Sequence, residues 1–428
     1  MVCISNTKRG EKLMQSDQGS AEALKILLLT TKPPYPATDG GRIAVYEPLR
    51  RLAARGHHVT LLTFRAPPGQ DEASFAHLAS LCRVEAIVQD TRTRPMGMGR
   101  NLFSRVPYTI SKYRSPLMAS QVRALLAATK FDVVHVEQVH MAGYGAIAQE
   151  EFGIPVVLRQ QNIESHLVER YWKTQTGLRR IYAKLQAVRL RNYEAEACAA
   201  VDRCLAITFA DATRLHHISP SAKTLVVPAG VDVEEFAPLP HLEEREAVVF
   251  VGAMDWLPNV DAVLWFCKDI LPAIRQEFPE MQFHIVGKNP PAEIRRLAET
   301  QGIHVAGFVE DVRDYFAKAT VFVIPLRVGG GMRVKLLQAM AMARPVVSTP
   351  IGAEGIQVED GRNILVAESA EDFAASVLRL LSDRKLGERL GQNARQLVEE
   401  TYSWETATDL LEQVYREVSA TRCLDPLS

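Results

Sequence analysis

The chain carries no excess of either charge: 50 Lys and Arg stand against 50 Asp and Glu in 428 residues. Without a net positive field, DNA and RNA are not expected as its main partners. Its six cysteines (Cys3, Cys82, Cys198, Cys204, Cys267 and Cys423) are scattered, with no Cys-x-x-Cys pair. That pattern excludes a disulfide framework and a zinc ribbon, and it reads as a reduced, intracellular chain. The first two dozen residues lack the apolar core of a signal peptide, and residues 1–24 are expected to form a disordered tail. No run approaches the roughly 18 apolar residues of a membrane-spanning helix, so a cytoplasmic protein is expected, soluble or peripheral at the inner face of the membrane. Three ligand motifs are missing as well. There is no G-x-x-x-x-G-K-[ST] loop, no third glycine after Gly40 and Gly41 to complete a dinucleotide fingerprint, and no Asp-x-Asp pair to bridge a metal. No cofactor and no metal are therefore expected.

What is present is an α/β rhythm. With 47% apolar and 23% charged residues the composition is that of a globular protein. Lys25-Ile26-Leu27-Leu28-Leu29 reads as a buried parallel strand, followed by a Pro- and Gly-rich loop, a helix stopped by Gly56, and a second strand from His58. Further strands are expected at 84–88, 133–136, 156–158, 204–207 and 224–227, with one long helix from Glu164 to Ala200. After the charged stretch 241–246 a second series begins, with strands at 247–251, 282–286, 304–305, 321–324, 346–348 and 364–366. Its helices are expected at 261–275, 291–300 and 332–342. Two complete series predict two doubly wound domains, residues 25–234 and 235–402. A last helix, 403–420, is capped by Ser403 and carries Trp404, Ala407, Leu411, Val414 and Val418 on one stripe.

The richest segment for chemistry runs from Pro325 to Thr349. A strand ends, Gly329-Gly330-Gly331 make a loop, and a helix starts near Met332. Such a junction lets backbone approach a phosphate, and the helix start supplies free N–H groups. Arg333 and Lys335 add positive charge there, and Lys335 shares a helix face with Gln338. Gly40-Gly41 is the matching junction in the first domain. With no metal motif, a diphosphate would have to be met by these cations and helix starts. The plain alternative is a glycine turn beside two solvated cations.

These residues resemble glycosyltransferase family 4, whose two Rossmann-like domains face each other across a cleft (the GT-B fold). The resemblance rests on PPYPATDGGRI, FDVVHVEQ, VVPAGVDVEEFAP, FVGAMDWLPNVDAV, HIVGKNP, VAGFVEDVRDYF and GGGMRVK in this order, and it spans Lys25 to Val418. It implies a hexosyltransferase-like enzyme that retains configuration and draws on a UDP-, GDP- or other nucleotide-sugar. The acceptor would be a cell-surface polysaccharide, a glycolipid or another glycan, and the last helix would return to the first domain. Two positions depart from the family's Glu-x7-Glu pattern: they read Gly330 and Gln338, as in a subgroup with GGGxRxK. The Arg and Lys usual after the first strand of the second domain are also missing, and Arg333 and Lys335 are expected to replace them.

Carried over residue by residue, the resemblance implies donor contacts at Gly40, Gly41, Gly252, Asp255, Asn259 and Val309, beside Gly329, Gly330, Gly331, Arg333, Lys335 and Gln338. Glu137 and His140 are the catalytic candidates, expected as a polar pair facing the cleft from the end of a strand. Asn162 and Glu164 are expected on the acceptor side. The basic stretch 170–191, interleaved with Tyr171, Trp172, Ile181 and Leu185, reads equally as a membrane-surface helix and as a solvated one. Two other readings stay open: a sugar-nucleotide epimerase of the same fold, and a binding protein without turnover.

Overall fold

The computed structural model describes residues 22–66, 72–174, 176–239, 246–328 and 333–424. The expectations placed on residues 1–21 and on Gly329, Gly330, Gly331 and Met332 lie outside these described residues. The first sheet contains β1 (Lys25–Thr30), β2 (His58–Arg65), β3 (Arg83–Val88), β4 (Val133–Glu137), β5 (Val156–Gln160), β6 (Arg203–Ala206) and β7 (Thr224–Val226). Their order is β3-β2-β1-β4-β5-β6-β7, with parallel pairing throughout. The second contains β8 (Ala247–Val251), β9 (Gln282–Val286), β10 (Ile303–Gly307), β11 (Val321–Ile324), β12 (Val346–Ser348) and β13 (Leu365–Val366), in the order β10-β9-β8-β11-β12-β13. Strands covered on both faces must be apolar on both. That is why Ile26 to Leu29 and Val321 to Ile324 are buried without alternation.

This order places the chemistry. Strand order reverses between β1 and β4, and again between β8 and β11. Connections leaving these strands pass to opposite faces, and a crevice opens at their carboxyl ends. The loop after β1 leads to Gly40 and Gly41, which open α1 (Gly40–Ala54). The loop after β8 carries Gly252 to Trp256 and leads into the helix that holds Asn259, and the one after β11 leads to Arg333.

Three helices differ from expectation. The single helix from Glu164 to Ala200 is two, α2 (Glu164–Thr174) and α3 (Gly177–Ala200), with Gly177 at φ 58°, a left-handed value that ends the run. After α4 (Phe209–Ile218), α5 (Leu257–Trp265) starts ahead of the expected Asp261. Pro258 opens it, since a first-turn residue needs no N–H. The helix expected from Met332, α6 (Val334–Ala341), begins with Arg333 as its N-cap residue.

The last helix, α7 (Trp404–Leu424), crosses back to the first sheet. Ser403 Oγ accepts the Thr406 N–H at 3.0 Å and caps it. Leu411, Val414, Tyr415 and Val418 then join the core formed by Ile26, Leu28, Leu49 and Val133. The two chain crossings touch: Val231 and Ser403 form a bridge, and a Cβ on Gly230 would lie 2.7 Å from the Trp404 nitrogen. Arg51 joins Asp232 at the crossing to Glu405 on α7. Leu411→Ala should therefore cost about 2–5 kcal/mol by loss of packing. Urea unfolding should show the midpoint falling with the slope of the transition unchanged.

Candidate donor site in the interdomain cleft

On the second-domain wall the site is built around one enclosed ammonium. Lys335, in the first turn of α6, donates to Asn259 Oδ1 at 2.7 Å, and its nitrogen sits 4.5 Å from the Phe250 ring centroid. Asn259 in turn donates to the Ala253 carbonyl at 2.8 Å. The arrangement requires Gly252: a Cβ there would lie 2.7 Å from Asn259 Nδ2 and 2.8 Å from Lys335 Nζ. Loss of hydration, with Arg333 adding repulsion, pushes the Lys335 amine down to about 7.

Arg333 is only 5% exposed. Its guanidinium lies 5.6 Å over the Trp256 ring and reaches the Ile351 carbonyl at 3.5 Å. Burial holds it below the usual arginine range, Glu354 opposes that shift, and Arg170 on α2 adds to it from the facing domain. Two cations, the start of a helix and a side-chain-free approach at Gly252 thus converge on the crevice wall. This is an arrangement suited to a diphosphate.

The other expected donor residues are less uniform. Asp255 is exposed and accepts from Asn289 Nδ2 at 3.0 Å. Val309 is half-buried after β10, beside the exposed Phe308, and Gln338 is half-buried one turn beyond Lys335. Asn259 requires a correction. It is buried, and its amide is committed to Ala253 and Lys335, so it holds the lysine instead of offering a polar group to the cleft.

On the first-domain wall, Gly40 and Gly41 occupy the first turn of α1, but that turn is already capped. Asp39 Oδ1 accepts the Arg42 N–H at 3.0 Å, and its carboxylate pairs with Lys32 at 3.1 Å and Arg42 at 3.5 Å. An anion reaching this helix start meets a carboxylate with two cations, which the glycine pair alone did not disclose.

Glu137 does not face the cleft, and the expectation of a polar pair with His140 is overturned. Side chains alternate along β4: Val134 and Val136 enter one core, while Val133, His135 and Glu137 turn to the face under α1 and α7. Glu137 is 3% exposed, with His135 Nε2 at 3.1 Å, Gln161 Nε2 at 3.1 Å and Arg159 Nη1 at 3.5 Å. Burial alone would raise its pKa, but Arg159 and His135 hold it below the ordinary carboxylate value. His140 sits on the short turn after β4, edge-on to Tyr113 at 5.3 Å, and burial beside Lys112 lowers it to about 4. It is therefore neutral at physiological pH.

Of the residues expected on the acceptor side, Asn162 lines a small recess that Glu354 and Gly355 close from the second domain. Glu164 opens α2, and its N–H donates to Glu194 Oε1 at 2.9 Å. Desolvation and the neighbouring Glu194 raise the Glu164 carboxyl to about 7, against the pull of Lys112. The two domains meet directly at Arg214 and Glu354, 3.5 Å apart.

Comparison with known proteins now decides the family. Residues 38–235 match the family model described as Glycosyltransferase Family 4, and residues 245–383 match the one described as Glycosyl transferases group 1. The chain belongs to the family 4 glycosyltransferases. It is 25% identical to a D-inositol 3-phosphate glycosyltransferase of Geodermatophilus obscurus, over 89% of this chain and 85% of the relative. It is 25% identical to a phosphatidyl-myo-inositol mannosyltransferase of Mycolicibacterium smegmatis, over 73% and 79%. Its fold matches Anabaena HepE, solved in complex with UDP-glucose, with TM-score 0.61, 16% identity and coverage of 92% and 100%.

Several residues that shape this glycosyltransferase's cleft escaped the sequence reading. Asp39 and Trp256 stand inside quoted motifs without having been singled out, while Arg159, Glu194 and Tyr415 belong to none and have partners distant in the chain. Asp39 alone left a signal, as an N-cap residue directly before a glycine-opened helix. The depressed Lys335 pKa carries a sign that can be measured. The free ammonium titrates near pH 7, and a bound diphosphate raises its pKa, so binding should take up a proton above pH 7. Affinity for UDP should then fall as pH rises, by at most about tenfold per pH unit. Calorimetry in buffers of different ionisation heat should show the uptake, and Lys335→Met should abolish it.

Proposed function

We propose that this glycosyltransferase transfers a sugar, with retention of configuration, from a nucleotide-sugar to a glycan or lipid-linked acceptor of the cell envelope. The observation carrying the proposal is the enclosed Lys335 ammonium beside Arg333, at the crevice edge where both sheets reverse their strand order. Cleavage of the donor leaves new negative charge on the departing diphosphate while the sugar centre becomes cationic. Fixed cations in a poorly hydrated wall meet that charge without reorganising. Because the charge grows in the transition state, they should lower the barrier more than they strengthen donor binding.

In this reading Lys335, Arg333 and the start of α6 hold the diphosphate, with Gly252 giving it close approach. Gln338 and Val309 lie towards the nucleoside, and Asp255 stands at the exposed rim. The departing phosphate oxygen takes the acceptor's proton, as the family resemblance implies. Glu137, withdrawn beneath α1, serves that wall by position. Glu164 is the titratable group nearest the acceptor recess. No metal and no cofactor enter the scheme. An epimerase or a binding protein without turnover is not favoured, since the family matches lie among transferases.

A peripheral membrane contact belongs to the same proposal. Ile181, Leu185 and Val188 are exposed along α3, with Arg179, Arg180 and Lys184 among them. Among the described residues no helix is long and apolar enough to cross a membrane. Sedimentation with vesicles of one-third phosphatidylglycerol should show salt-sensitive binding, lost when Arg179, Arg180 and Lys184 are changed to Glu.

The donor-site reading is tested by titrating UDP and GDP in excess chelator. One should bind, and Lys335→Ala should weaken it about tenfold or more, since a charge-assisted bond is worth roughly 1.5–3 kcal/mol. Turnover should fall further than binding. Binding that disappears with the chelator, or a Lys335→Ala variant indistinguishable from wild type, would overturn the assignment.

A further inference from the structure

The first domain contains a cavity that the donor site does not use. It lies between α2, α3 and α4, has a volume of about 450 Å³, and is walled by Ile163, Trp172, Ala187, Val188 and Ile218. Protein interiors are close-packed, and an apolar void forfeits contacts on all its walls. A space within the roughly 300–1,000 Å³ range of small-molecule sites is therefore more than a packing defect. It also has an entrance: Val188 is 53% exposed and continues outward into Leu185 and Ile181, an exposed apolar ridge on α3.

The rim is cationic. Lys184 and Arg191 line it beside Glu169, together with Arg214, whose guanidinium is also paired with Asp211 at 3.0 Å and Glu354 at 3.5 Å. Lys184 rests 5.8 Å over the Trp172 ring, and Arg191 extends into solvent with no carboxylate within ion-pair distance among the described residues. The inner wall is shared with the cleft. Ile163, His166 and Arg214 line both this cavity and the recess closed by Glu354 and Gly355. Arg170, on the same helix as His166, acts electrostatically on Arg333 across that cleft.

We infer that this cavity holds the hydrocarbon chain of a phosphate-headed lipid, with the head drawn by Lys184, Arg191 and Arg214 towards the cleft. An apolar chamber opening on an apolar ridge accommodates an alkyl or isoprenoid chain, and cations at its rim select an anionic head over a neutral one. A chain seated there sets the head at the wall facing Arg333, where an acceptor must stand to meet the donor. The inference rests on the transferase reading and names the acceptor class for its open side.

The test titrates the full chain with dodecyl phosphate below its micelle concentration, followed by Trp172 fluorescence and calorimetry. Dodecyl maltoside and inorganic phosphate serve as the neutral-head and tail-less comparisons. Dodecyl phosphate should bind, and the other two at least tenfold more weakly. Val188→Asp, which charges the entrance at a surface position, and Ala187→Trp, which fills the chamber, should each weaken dodecyl phosphate at least tenfold. Arg191→Gln should reduce the preference for the phosphate head, and all three variants should bind UDP as wild type does. If Ala187→Trp fails to fold, Val188→Asp decides alone. The inference is overturned if wild type does not bind dodecyl phosphate, if Val188→Asp binds it unchanged, or if dodecyl maltoside binds equally. UDP binding is measured separately, so its failure would count against the donor reading alone.

Discussion

The second domain is organised around an ammonium group that it can scarcely solvate. Lys335 is held by one neutral acceptor, Asn259, and by the face of Phe250, with no carboxylate paired to it among the described residues. A buried cation without a counter-ion is costly, and the structure answers by lowering its pKa, not by pairing it. The rest of the wall follows. Gly252 must lack a side chain, Asn259 must turn inward, and Arg333 must stack on Trp256 instead of entering the same space. An anion arriving there satisfies a charge the protein leaves uncompensated, so ligand binding and relief of that internal cost are one event.

How far the sequence disclosed this depends on the distance between partners. Buried parallel strands are short apolar runs, so β1, β4, β8 and β11 could be read directly, whereas the reversals of strand order that locate the crevice emerge only from the structure. Arg333 and Lys335 could be read because a glycine loop and a helix start stand beside them. Glu137 was misread because its position at a strand end suggested a cleft residue. Its direction is set by the alternation of β4 and by α7, which arrives some 280 residues after β4, where Tyr415 meets His135 at 2.5 Å. Asn259 looked like a free polar side chain for the same reason: its partner lies 76 residues away.

That misreading uncovers a brace. From Tyr415 on α7 the contacts run to His135, then Glu137, then Gln161, whose amide also donates to the Gly41 carbonyl at 3.2 Å. Arg159 completes it by donating to the Ala44 carbonyl at 2.6 Å. A buried network of this kind resists rearrangement, because each bonded member is expensive to leave unpaired, and Arg159 Nε and Nη2 already lack a hydrogen-bond partner among the described residues. It ties the glycine turn of α1 to the helix that crosses back from the second domain, so the turn's position and the seating of α7 are mechanically one.

The two cleft walls consequently differ in charge, and the difference orders the proposed reaction. The second-domain wall offers two buried cations, Lys335 and Arg333, with Glu354 acting on the second of them. The first-domain wall offers Asp39 already paired with Lys32 and Arg42, together with Glu164, a carboxyl raised into the neutral range. A diphosphate gains most on the first of these walls, where it relieves Lys335. It gains less at α1, where a carboxylate already occupies the helix start. An acceptor hydroxyl meets less competition from phosphate on the first-domain wall. In the proposed reaction, donor on one side and acceptor on the other then follows from charge placement.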